Sequence, residues 1–202
     1  MDYENLYIVK RTTVDPNSPA EPAFNTAIPA VFTNLVPAKV EARATLFNEG
    51  YERDDFTIYD VNTGQETWCH GDGVIVYAEA LSGQVFKVEV ETITNTSRLE
   101  PDDDARIRRP LHHVLQTIVH YNEDRSGSIR DSIIEGTYVS RDAAEAHAFR
   151  VLLDNRTNKD DFIQYNEYPQ VSDRPFGADI LVHAVKEGGE NILVSVISSY
   201  VI

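Results

Sequence analysis

The sequence predicts an α+β protein made of two tandem β-β-α-β-β repeats. Three observations carry this. Aligned with itself at an offset of 106 positions, the chain lays Asn34–Thr92 on Ser140–Ser198 without a gap, and 13 of these 59 positions are identical. A repeat of that length is a copied domain or half-domain, not a solenoid unit. Paired runs rich in β-branched and aromatic residues are joined by Gly-containing turns, the pattern of hairpins. One Ala-rich segment of helical period lies inside each copy.

The second copy has the cleaner signals. Val114 to Tyr121 reads as a strand, Asn122 to Ser128 as a polar loop, and Ile129 to Val139 as the strand that completes a hairpin. Ser140 is placed to cap a helix, with Asp142 favourable near its N-terminus. Arg141 to Leu153 is helical, with Ala144, Ala148, Val151 and Leu152 on one face. Asn155 to Asn158 breaks it. Lys159 to Tyr165 then reads as a short helical turn. Ala178 to Val185 and Asn191 to Ser198 are strands joined by a Gly-Gly turn at Lys186 to Glu190.

The first copy follows the same plan. Leu6 to Val14 matches Leu111 to Val119 with one residue slipped, and Asn34 takes the capping position. Ala38, Ala42, Thr45 and Leu46 form the helical face. Val74 to Ala80 and Val85 to Glu91 make the closing hairpin. The opening hairpin departs from the plan. A proline-rich loop spans Asp15 to Pro22, and Pro29 marks its second strand as an edge or an interrupted strand. The expected organisation is a first repeat at 1–96, a linker at 97–110 and a second repeat at 111–202. Each sheet of four strands has one helix to cover one face. The two copies are therefore expected to pack about a pseudo-twofold axis, with the terminal Tyr200-Val-Ile packing back.

Within the second copy, Val114-Leu-Gln-Thr-Ile-Val-His-Tyr, Asp124-Arg-Ser and Gly136-Thr-Tyr-Val-Ser-Arg-Asp-Ala-Ala144 resemble a module of predicted intracellular proteins of filamentous fungi. The resemblance implies a small intracellular α+β module and brings no activity with it.

Composition narrows the classes. The net charge is −15. It is spread as 7 basic against 16 acidic residues in 1–100 and 11 against 17 thereafter. Such a surface repels phosphate backbones and anionic lipid, so neither nucleic acid nor membrane is expected as a partner. The diffuse charge reads first as solubility, with a basic partner or mimicry of a nucleic acid's charge as the sharper alternative. No apolar run is long enough to cross a bilayer. The acidic start lacks the pattern of a secretory signal, and Cys69 is the only cysteine, so a cytoplasmic protein without disulfides is expected. Under that expectation the sequons at Asn95 and Asn155 carry no weight.

No phosphate-binding Gly-rich loop, metalloprotease motif, nucleophile elbow or Cys pair occurs. His112 and His120 share a strand face but lie roughly 26 Å apart, too far to share a metal, so neither metal nor cofactor is expected. The twin Asp-Asp-Phe motifs at 54–56 and 160–162 read as caps anchored by Phe, with a shared carboxylate site as the sharper alternative. Arg106-Ile-Arg-Arg109 is expected to pair with Asp102 to Asp104. The Trp68-Cys-His-Gly-Asp72 segment holds the only Trp and matches Arg174-Pro-Phe-Gly-Ala178, so it reads first as a core cap, as Phe176 does near the same place, and any function it has is unique to the first copy. Tyr77 and His183 occupy equivalent strand positions, facing away from the helix or into the join between copies. Trp68, His70, Tyr77 and His183 are thus the candidate ligand-binding residues, assigned to a groove. This favours a non-enzymatic binding or interaction protein, its partner a protein or a small molecule. The alternative is a small cofactor-free enzyme of isomerase or cyclase type, with its site in the groove between the copies.

Overall fold

The computed structural model describes residues 3–17, 23–64, 68–123, 125, 127 and 129–199. The chain divides into two compact units, Met1–Arg108 and Arg109–Ile202. Parts of the proline-rich loop and of the 122–128 loop lie outside the described residues, as does the terminal Tyr200-Val-Ile expected to pack back.

The first unit contains β1 (Asn5–Asp15), β2 (Ala23–Phe32), α1 (Leu35–Asn48), β3 (Phe56–Val61), β4 (Val74–Ala80) and β5 (Val85–Thr94). All pairings are antiparallel, in the order β2-β1-β5-β4-β3. The second contains β6 (Leu111–Val119), β7 (Arg130–Tyr138), α2 (Arg141–Ala148), β8 (Gln164–Glu167), β9 (Ile180–Val185) and β10 (Asn191–Ser199). Its order, β7-β6-β10-β9-β8, is the same arrangement. The class is α+β, with five strands per sheet where four were expected. The extra strands are β3 and β8. Lys159 to Tyr165 was expected to be one helical turn, but only Lys159–Asp161 is a 3-10 turn, and the chain then straightens into β8.

Each helix sits close to its sheet because its inward face is made of small residues. Ala38 and Ala42 in α1, and Ala144 and Ala148 in α2, have no exposed surface. Above the first sheet α1 packs Ala38, Ala42 and Leu46 among Val9, Val76, Phe86 and Val88. Burial of each such large side chain contributes about 1.5–3 kcal/mol. Asn34 caps α1 by accepting from the Val36 amide at 2.9 Å, and Ser140 caps α2 from Ala143 at 3.4 Å. α2 is shorter than expected and stops at Ala148. Beyond it Asp154 Oδ1 accepts from the amides of Arg156 and Thr157, both at 2.7 Å, and fixes the break. Val151 and Leu152 still pack on the core, but from turns and not from the helix.

Pro29 does not interrupt β2. It lies at a bulge, where Val9 pairs with Ala30 and Arg11 with Ala27, so two residues stand opposite Lys10. The second sheet bulges at the matching place, Val114 pairing with Gly136 and Leu115 with Ile134 around Glu135. A missing N–H costs nothing where the ladder is already broken.

The segment expected as a linker is built onto β2. Phe32 bridges Arg106, Ile107 N donates to Val31 O at 2.9 Å, and Thr33 N donates to Ala105 O at 2.8 Å. Leu99 and Ile107 are buried. Arg106 lies over the Phe32 ring and donates to Pro29 O at 3.2 Å, while Arg108 pairs with Asp102 and Asp104. The free edge of β2 is thereby covered at its C-terminal end.

Both Asp-Asp-Phe motifs act as caps. The carboxylates of Asp55 and Asp161 accept from the amides of Glu52 and Asn158, each at 2.7 Å, and Phe56 is buried in the core.

Candidate functional site

Tyr77 lies between Val76 and Ala78 on β4. Those two face α1, so strand alternation turns Tyr77 to the opposite side of the sheet. Asp60 is its direct neighbour on β3. The 62–73 loop that joins these strands turns at Gly71 (φ 103°) and Gly73 (φ 80°), a backbone region that favours glycine. The turn brings His70 back over the sheet, where its ring stacks on Tyr77 with centroids 4.0 Å apart and planes 7° from parallel. Trp68 meets His70 edge-on at 4.8 Å and donates its indole N–H to Gly71 O at 3.0 Å.

The polar groups of this cluster are paired with one another. His70 Nε2 lies 2.8 Å from Asp60 Oδ2. A carboxylate only accepts, so Nε2 carries the proton. The Tyr77 hydroxyl donates to Glu79 Oε1 at 2.7 Å. Burial first, and then the Glu79 contact, push the Tyr77 pKa up to about 12 and keep the phenol protonated. Beside the stack lies a cleft of about 260 Å³, lined by Tyr59 to Thr63 and Trp68 to His70. Cys69 is exposed on its rim.

Three of the four candidate residues, Trp68, His70 and Tyr77, therefore meet in one cluster of the first unit. His183 lies in the second unit, in the matching cluster. There Phe176 takes the place of His70 and stands 4.6 Å from His183, while Asn166 takes the place of Asp60. His183 is buried, and its Nε2 lies 2.8 Å from Asn191 Oδ1. Arg174 replaces Trp68. Its buried guanidinium donates to the carbonyls of Tyr168 (3.1 Å), Ala178 and Pro169 (3.5 Å). Glu79 and Lys87 become Val185 and Leu193. The scaffold is shared, while its ionisable groups are concentrated in the first unit.

Sequence reasoning passed over Asp60 and Glu79. The exchange of Asp60 for Asn166 between the two aligned segments was a usable signal. So was the position of Glu79 two residues beyond Tyr77, on the same strand face.

The other histidines do not gather. His113 is fully buried between Thr137 Oγ1 and Ser199 Oγ, each at 2.9 Å, and burial lowers its pKa to about 3. His112 contacts Ser198 on the helix side of β6, and His120 pairs with Asp131 at 3.0 Å. Among the described residues no group of three His, Cys, Asp or Glu side chains could hold a metal. No helix among them is long and apolar enough to cross a membrane. The sequon residue Asn95 is buried, and its amide donates to the carbonyls of Tyr3 and Leu99 at 2.9 and 3.0 Å.

No family model matches the chain, and no curated protein or solved structure is significantly similar to it.

Proposed function

We propose that this chain is a non-enzymatic intracellular binding module, built by duplication of one α+β unit, and that it recognises a protein partner through the 62–73 cleft of its first copy. The observation that carries the reading is the Asp60–His70–Tyr77 cluster beside an open cleft, on a scaffold whose second copy has Asn166, Phe176 and His183 at the same positions. Copies that keep a fold and exchange the ionisable side chains of this cluster fit recognition specialised to the first of them. The identical strand order and the bulges at matching positions support the duplication. The single cysteine and the fungal-like motif support the compartment.

Binding is favoured over catalysis by how the polar groups are used. The Tyr77 phenol is held protonated on Glu79, and the Trp68 N–H is spent on a loop carbonyl. His70 is oriented by Asp60, and among the described residues no nucleophile is hydrogen-bonded to it. A rigid aromatic and acidic wall is the product.

The test is co-purification from the cells that make the protein. A polypeptide held stoichiometrically by the wild type and by Asn166→Ala, but released by Asp60→Asn, is the expected result. Retention by all three proteins, or a metabolite consumed by the wild type, would sink the reading.

A further inference from the structure

We propose that the first-unit cleft binds a guanidinium group, the arginine side chain of a basic partner segment. This rests on the reading of the cleft as the recognition site and names the chemistry it selects.

Size comes first. At about 260 Å³ the cleft is smaller than the roughly 300–1,000 Å³ of pockets that enclose a whole drug-sized ligand, so it suits a single side chain.

Its walls select the charge. No Lys or Arg is among the residues that line it. Asp60 offers a half-exposed carboxylate, of which Oδ2 is taken by His70 while Oδ1 has no hydrogen-bond partner among the described residues. The Trp68 indole has its N–H satisfied by Gly71, so it brings an aromatic ring and no free donor to the cleft lining. Carboxylate beside indole is a cation site, and Trp is the strongest aromatic partner for a cation. A flat guanidinium can lie on an indole while one of its N–H groups reaches a carboxylate, which a compact ammonium does less well. The net charge of −15 draws cations toward the surface.

The second unit supplies an independent pointer. Its matching loop already wraps a guanidinium, that of Arg174, held by the carbonyls of Tyr168, Pro169 and Ala178. The counterparts of the first two are Asn62 and Thr63, which line the first-unit cleft. At the position of Arg174 the first unit has Trp68, so its loop carries no arginine of its own there. Among the described residues, Arg43 on α1 reaches Asn62 O at 3.4 Å. One copy fills this place with its own arginine. The described residues of the other leave a cleft there, with an acid and an indole in its lining, for a guanidinium from outside.

Trp68 is the only tryptophan in the chain, so its fluorescence reports on this cleft alone. The full-length protein is titrated at low salt with Nα-acetyl-arginine amide, its neutral isostere Nα-acetyl-citrulline amide, Nα-acetyl-glutamate amide, agmatine and the peptide acetyl-Ala-Arg-Ala-amide. A saturable change with the arginine amide is expected, at least tenfold weaker with citrulline and reduced at least tenfold by Asp60→Asn. Asn166→Ala should leave it unchanged. The peptide should bind more tightly than agmatine. Tighter binding of agmatine would overturn the partner segment as the source. A response to citrulline or glutamate equal to that of arginine would overturn the guanidinium and leave the cleft as a recognition site. Silence toward every probe would overturn the guanidinium. Partner retention by Asp60→Asn in the co-purification would, separately, overturn the cleft.

Discussion

His113 shows what a single buried residue can impose. It is enclosed between two hydroxyls with no exposed surface, and burial lowers its pKa from 6.5 to about 3. In the unfolded chain it binds a proton near pH 6.5, while in the folded chain it stays neutral down to about pH 3. The unfolded state therefore takes up more protons as pH falls. This contribution to stability is intact above about pH 6.5 and is lost progressively down to about pH 3, with roughly 2 kcal/mol gone at pH 5. Urea unfolding of wild type and His113→Gln at pH 7 and pH 5 checks this. The wild type should lose about 2 kcal/mol more than the variant over that interval. Equal losses would mean that His113 is hydrated in the folded state. Tyr77 and Tyr165 act on the alkaline side. Both are raised to about 12, mainly by burial, so the stability they confer is present below about pH 10 and is lost as pH rises toward 12. At this scale the sequence was readable in part. Alternation placed Tyr77 and His183 away from the helix, but nothing local announces that a loop will fold His70 back onto Tyr77. That contact depends on two positive-φ glycines just beyond His70 and on Asp60, ten residues before it along the chain.

At the scale of elements, the helix faces and hairpins were legible because their periods differ. Ala38, Ala42, Thr45 and Leu46 read as one buried face and are buried. The third strand of each unit was missed because the reading leaned on the second copy. There Gln164-Tyr-Asn-Glu has little β character, whereas Thr57-Ile-Tyr-Asp-Val in the first copy is rich in β-branched residues. Tight packing of α1 makes a test of the helix–sheet contact. Ala42→Leu forces a larger side chain into a filled site and should cost about 1–3 kcal/mol. Val40→Ala, on the exposed side of the same helix, should stay within about 0.5 kcal/mol. Pro29 provides a second. Because it sits at a bulge, Pro29→Ala should cost no more than about 1 kcal/mol, the entropy returned to the unfolded chain. Val90→Pro, in the paired interior of β5, should cost about 3 kcal/mol or more. Thermal melts of the four variants decide both comparisons. A loss at Pro29 as large as that at Val90 would show that the bulge depends on the proline.

At the scale of the whole chain, the boundary between units falls inside the 97–110 segment that composition marked as a linker, and most of that segment is built onto the first unit. Glu100-Pro-Asp-Asp-Asp has the polar, proline-containing make-up of a linker, and composition reports polarity without reporting pairing. The pairing comes from the flanks. Ile107 and Thr33 form backbone hydrogen bonds across β2, Leu99 and Ile107 are buried, and Arg106 lies across Phe32. The acidic residues between them serve as turn formers. Asp102 Oδ1 accepts from the amides of Asp104 and Arg106 at 3.0 and 2.9 Å, and its other oxygen pairs with Arg108. A first-unit polypeptide ending at residue 96 would therefore lose an edge cover and two buried side chains. One ending at residue 108 keeps them. Large-to-small losses of single buried Leu or Ile residues cost about 2–5 kcal/mol each, a large share of the stability of a domain this size. The two polypeptides should differ accordingly in urea midpoint, and the shorter one should aggregate through the exposed edge of β2. Equal midpoints and equal solubility would show that residues 97–108 only pass over the sheet and that the first unit is complete without them.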